Sequence, residues 1–207
     1  MSSLVQCFEK LIHPEWKLPR SSESSAWVLT EAQNQNSLGK NCQIEIFGGP
    51  SFAFSLDQLK ADPWPFLNEA GMKGMRKVCD ALIVVHKKDE GYKQAERNYV
   101  IALEMKSTSE GEAVKQIASS RLLMDWLIGL LKLHRHWNGD CKFCGVISFT
   151  PRNQERKGVA DRKGNTAKKM SPLPQPKLSQ SGYPVFCLNN HPRLDIVELI
   201  SAIDGAL

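Results

Sequence analysis

The sequence predicts an α/β fold in which a mixed central β-sheet is flanked by helices. Three observations point there. Two apolar, β-rich runs, residues 78–85 and 99–106, follow each other across a polar stretch containing Gly91, as two strands joined by a long hairpin loop would. Residues 112–133 then repeat apolar side chains at helical spacing. A third compact apolar run, residues 144–149, follows that helix and is stopped by Pro151. Strands and helices interspersed in this order bury their apolar faces by layering helices on a sheet.

The remaining elements follow along the chain. Ser2 or Ser3 caps a short first helix with Leu4, Phe8, Leu11 and Ile12 on its apolar face. Residues 19–38 are rich in Ser, Gln and Asn, and within them Trp27, Val28 and Leu29 form a patch that has to dock. Residues 43–47 alternate as a strand, Gly48, Gly49 and Pro50 signal a turn, and residues 51–55 read as the return strand of a hairpin. Pro63 and Pro65 place Trp64 in a loop, and a short helical piece is expected over residues 66–69. The second half of the long helix is apolar almost all round. This predicts burial on several sides and puts Trp126 in the core, together with Trp137. Residues 152–181 read as a basic, mobile loop or insertion within one domain spanning 1–207. Residues 183–188 form a last strand, and residues 195–203 a closing helix with Ile196, Leu199, Ile200 and Ile203 on one face.

The chain has 207 residues, 42% of them hydrophobic and 24% charged, which suits one domain with a sizeable core. No apolar run reaches the about 18 residues of a membrane span. The first residues lack a basic segment followed by an apolar one, so no secretory signal is expected and the cytoplasm is the default compartment. The six cysteines are then expected to be reduced thiols rather than a disulfide framework. The net charge of +5 is concentrated between residues 151 and 177. There Arg152, Arg156, Lys157, Arg162, Lys163, Lys168, Lys169 and Lys177 outweigh Glu155 and Asp161 to give a local +6.

The most specific pattern is the placement of acids on the two central strands. Asp80 lies near the start of the first, and Glu104-Met105-Lys106 ends the second. Strand residues two apart share a face, so Glu104 and Lys106 project together. A hairpin pairing would bring Asp80 beside Glu104. Two carboxylates suit a hard divalent cation, Mg²⁺ or Mn²⁺, with the Met105 backbone carbonyl as a third oxygen. The Lys106 ammonium would orient or help deprotonate a water and offset phosphate charge. This chemistry fits phosphodiester hydrolysis.

Asp80, then Glu104-Met105-Lys106, on successive strands with a long helix following, resembles the PD-(D/E)XK nuclease superfamily, whose core is the restriction-endonuclease-like fold. The resemblance spans roughly residues 43–149 and implies a helix-strand-strand-strand-helix-strand core. It implies that Asp80 and Glu104 are metal ligands, that Lys106 is the catalytic lysine, and that Gln116 on the long helix faces the site. Cys79 stands where the literal motif has proline, and Ser120 where one branch keeps a tyrosine. A further acid often comes from the first helix or strand, where Glu9 and Glu45 are available. DNA is the substrate that the resemblance implies. It also implies a setting in bacterial anti-phage defence, restriction or mobile elements, with a separate regulatory or sensor partner and a homo-oligomer, a dimer being natural for cutting two strands. The basic residues of 152–177 would then contact phosphates and make binding salt-dependent. The alternative is a non-catalytic nucleic-acid-binding or assembly subunit on the same fold.

Two weaker signals complete the inventory. Cys141 and Cys144 form a C-x-x-C pair close after His134 and His136, ligand types that zinc accepts. Against zinc, Cys144 falls within an apolar strand pattern and no second pair follows, so a buried Cys144 and a loop Cys141 are expected. The two histidines suit a helix C-terminus through its dipole.

Overall fold

The computed structural model describes residues 2–31, 42–56, 74–88, 96–106, 110–149, 172–189 and 191–206. The fold is mixed α/β, with two mixed sheets and three α-helices among these residues. Helix α1, Leu4–Leu11, starts at a reciprocal cap. The Gln6 N–H donates to Ser3 Oγ at 3.3 Å, and the Ser3 N–H to Gln6 Oε1 at 3.0 Å. Strands β1 (Trp27–Glu31) and β2 (Cys42–Phe47) pair antiparallel. Then come β3 (Ser51–Phe54), β4 (Ala81–Lys88), β5 (Glu96–Lys106), helix α2 (Glu110–Leu133) and β6 (Cys141–Phe149). The chain closes with β7 (Lys177–Leu178), β8 (Pro184–Asn189), β9 (Arg193–Asp195) and helix α3 (Ile196–Ala206). No described helix is long and apolar enough to cross a membrane.

The larger sheet has the order β3-β4-β5-β6-β8-β7. Strand β4 runs antiparallel to both β3 and β5, whereas β6 lies parallel to β5, with α2 as the crossover between them. Strands β4 and β5 are buried on both faces over most of their length, which explains their unbroken apolar runs. Helix α1 packs on one face through Leu4, Val5, Cys7 and Phe8, and the Phe8 ring stacks on Phe54 at 6.1 Å. Helix α2 packs on the same face, where Gly145 admits it: Phe54, Leu82, Ala102 and Gly145 pair in register and so share that face. A Cβ on Gly145 would sit 2.8 Å from Ile117 Cγ2. Gly145 pairs in register with Ala102, so Glu104, two residues along β5, lies on the α2 side.

Asp195 Oδ1 accepts the Val197 N–H at 2.8 Å and so caps α3. At its other end, Asp204 ties α3 to the central strands. Its carboxylate meets Lys142 at 2.9 Å, Arg97 at 3.0 Å and the Tyr99 hydroxyl at 2.9 Å. Burial opposes the Asp204 charge, but these donors outweigh it and hold its pKa below the ordinary value.

Four expectations are corrected. Residues 43–47 and 51–55 do not form a hairpin, because β2 joins β1 and β9 in the three-stranded sheet while β3 joins β4. Gly48 and Gly49, at φ +99° and +65°, turn the chain from one sheet into the other. Strand β3 is buried at every residue, as suits a sheet covered on both faces. The second half of α2 is not buried on several sides: Leu122, Trp126 and Leu133 are exposed, and only Trp137 of the two expected core tryptophans is buried. Strand β4 begins at Ala81, so Asp80 precedes the strand rather than lying in it. Finally, the end of the segment expected as a loop over 152–181 folds back as β7, pairing antiparallel with β8. Residues 152–171 lie outside the described residues, as do Trp64 and the helical piece expected over 66–69.

Candidate active site

The β4–β5 register fixes the relation between the acids. Ala81 pairs with Leu103, which sets Asp80 opposite Glu104 at the end of the ladder. The Asp80 N–H donates to Glu104 Oε2 at 3.2 Å, and Asp80 Oδ2 accepts the Met105 N–H at 2.5 Å. Backbone N–H and C=O of one strand residue leave on the same side. The Met105 carbonyl therefore also faces the side of Asp80. Lys106 Nζ meets Glu104 Oε1 at 2.6 Å. The Glu104 side chain is 1% exposed and that of Lys106 is 23% exposed, so the cluster opens to solvent at Lys106.

Helix α2 holds the segment that leads into Asp80. Gln116 Nε2 donates to the Val78 carbonyl at 3.2 Å, and Ser120 Oγ accepts the Cys79 N–H at 2.8 Å. Residues four apart lie on one helical face, so one row of α2 clamps both sides of the Val78–Cys79 peptide group. The Gln116 amide N–H is thus committed to the backbone of the segment that leads into Asp80.

Burial works against the Lys106 charge. The hydrogen bond and charge of Glu104, with Asp80 and Glu112 behind it, outweigh burial and raise the Lys106 pKa. Lys106 is therefore an ammonium at neutral pH. The Cys79 thiol is fully buried and its pKa is pushed far up, first by burial, so it is no nucleophile.

Asp80, Glu104 and Lys106 are brought together, and Gln116 reaches the same segment. Arg152, Arg156, Lys157, Arg162, Lys163, Lys168 and Lys169 lie outside the described residues. Glu45 pairs with Arg193 at 3.2 Å in the smaller sheet, and Glu9 is exposed on α1. Among the described residues no group of three or more His, Cys, Asp or Glu converges as a metal site. The two carboxylates and the Met105 carbonyl still fit a Mg²⁺ or Mn²⁺ ion, which takes oxygen donors and keeps several waters. Each carboxylate has lone pairs beyond those its present donors use. Cys141 and Cys144 both belong to β6, three residues apart, and so point to opposite faces. That placement does not suit a shared zinc ion.

Sequence reasoning missed Ser120 and Glu112 as contributors. The signal was the row Glu112, Gln116 and Ser120 at four-residue spacing on α2. Two cavities lie apart from the site. One of about 550 Å³ is lined by Gly49, Pro50, His86, Lys87 and Val197 among others, and one of about 290 Å³ by Cys7, Lys10, Leu131 and His136 among others. The chain matches no family model, no curated protein and no solved structure.

Proposed function

We propose that this chain is a metal-dependent nuclease of the PD-(D/E)XK type that hydrolyses phosphodiester bonds of DNA. The observation that carries the reading is a fully buried Glu104 ion-paired to Lys106 and facing Asp80. Burying an ionised pair costs several kcal/mol per ion in desolvation, of order, and apolar residues of the same volume are often no less stable there. A fold that keeps such a pair beside a third charge is using it, and perturbed ionisable groups mark functional sites. With β1 and β2 set aside as members of the smaller sheet, the succession α1, β3, β4, β5, α2, β6 is compatible with the helix-strand-strand-strand-helix-strand order of that superfamily.

Asp80, Glu104 and the Met105 carbonyl would hold Mg²⁺ or Mn²⁺, which when bound acidifies water and offsets phosphate charge. The protein's own residues do the rest. Lys106, kept protonated, donates hydrogen bonds to the scissile phosphate and stabilises the charge that develops on it. Glu104 fixes the Lys106 ammonium in place. Gln116 and Ser120 fix the Val78–Cys79 peptide that leads into Asp80. In the reaction a water oxygen bonds to phosphorus and the water gives up a proton, the bond from phosphorus to the leaving oxygen breaks, and that oxygen takes up a proton, so that protons balance. The expected setting is bacterial defence or restriction, with a separate protein controlling activity. The test is metal-dependent cleavage of DNA that Lys106→Ala removes.

One observation favours a second reading, a binding or assembly subunit. Glu104 already has an internal donor at each oxygen, Lys106 at one and the Asp80 N–H at the other. Calorimetric titration with Mn²⁺ separates the two. A nuclease gives a signal that Asp80→Ala removes, and a binding subunit gives none.

A further inference from the structure

The outer face of α2 carries an exposed apolar stripe with no partner among the described residues. Leu122 is 73% exposed, Trp126 56% and Leu133 72%. Gly129 lies between them, and a Cβ there would meet nothing within 4 Å. Positions 122, 126, 129 and 133 advance by four, three and four residues, the spacing of a seam between two helices. A single exposed leucine needs no explanation, but three large apolar residues aligned on one face mark an interaction surface.

We infer that this face is where two copies of the chain pair, their α2 helices antiparallel about a twofold axis between Trp126 and Gly129. The seam is complementary to itself in this arrangement. Leu122 meets the partner's Leu133, and Trp126 lies over the partner's Gly129, the largest side chain against the smallest. A twofold axis makes each contact twice, as an isologous interface requires. The flanking charges agree. Asp125 and Lys132 each precede a stripe residue on the same side of the seam, so Asp125 faces the partner's Lys132. Within one chain Asp125 is held by Arg121 at 3.6 Å and Lys132 by Asp140 at 3.6 Å. Both pairs involve well-exposed groups and are weak enough to be exchanged on association. The face is narrow, which places the dimer in the transient class, with Kd on the order of 10 μM.

Sedimentation velocity of the full chain, from about 1 to about 200 μM, tests this across the expected Kd. The expected result is a concentration-dependent monomer–dimer equilibrium. Gly129→Leu should weaken it by roughly tenfold or more, because the new side chain occupies the place of the partner's Trp126. The monomer should fold as before, since position 129 faces open space and leucine favours helix over glycine. Leu122→Glu should act in the same direction. Asp125→Lys and Lys132→Asp should each weaken the dimer, and the two together should restore it. A monomer over the whole range overturns the inference and leaves the stripe to a different protein. A dimer indifferent to both Gly129→Leu and Leu122→Glu overturns it as well, by placing the interface elsewhere. The readout is association, so it stands apart from any outcome of cleavage assays.

Discussion

Ser120 Oγ accepts the N–H of Cys79 at 2.8 Å, and this buried bond ties the middle of α2 to the residue before Asp80. Removing it leaves a peptide N–H buried without its acceptor. Ser120→Ala is therefore expected to cost about 1–3 kcal/mol of stability. If the bond positions Asp80, the variant should also lower the affinity for Mn²⁺ at temperatures where it remains folded. Urea unfolding and calorimetric titration read the two effects separately. Unchanged stability would show that the bond contributes nothing.

The Glu104–Lys106 pair yields a prediction with two arms. Lys106→Met leaves the Glu104 carboxylate buried without its ammonium, and breaking a buried pair in this way costs about 3–5 kcal/mol. Replacing both residues, as Glu104→Leu with Lys106→Met, removes the uncompensated charge and should return most of that stability. Neither variant should cleave DNA. A pair retained only for folding would instead leave the double variant as unstable as the single one.

The alkaline limb of stability carries its own expectation. The Lys106 pKa is raised above its ordinary 10.5 in the folded chain. Its contribution is then fully present below the unfolded value and is lost as pH rises through the higher folded value. Tyr99, raised to about 12 chiefly by burial, also loses stability at high pH. The Lys106 share is therefore the difference between wild type and Lys106→Met. Unfolding free energies measured from about pH 8 to about pH 11.5 should converge for the two proteins at the alkaline end. A gap that does not narrow would mean that the ammonium is not what stabilises.

Packing of α2 on the sheet depends on the missing side chain at Gly145. An added Cβ would lie 2.8 Å from Ile117 Cγ2 and 3.3 Å from Val185 Cγ2. Overpacking of this kind costs about 1–3 kcal/mol, and Gly145→Val should exceed Gly145→Ala. Thermal unfolding of both variants checks the order.

The central strands and the Asp80–Glu104 neighbourhood were legible because unbroken apolar runs mark strands covered on both faces, and the period of two fixes which residues share one. The long helix was legible from its repeat, and α1 and α3 from their apolar faces. What escaped was set by tertiary choices. Gly48, Gly49 and Pro50 signal a turn whichever sheet the next strand joins, so the chain's passage from β2 to β3 read as a hairpin. Strand β9 has three residues and is defined by pairing with β2, too short for any pattern. Trp126 and Leu122 read as core because apolar residues all round a helix usually mean burial. Ser120 read as a departure from a motif, since nothing local shows that its hydroxyl meets the Cys79 N–H forty-one residues away.

The most direct test of the proposed chemistry is cleavage of supercoiled plasmid and of single-stranded DNA with Mg²⁺, Mn²⁺ or EDTA, comparing wild type with Lys106→Ala. Cutting that needs the metal and disappears in the variant is the expected result. Metal-dependent cutting that survives in purified Lys106→Ala would contradict the assignment of the site to Asp80, Glu104 and Lys106.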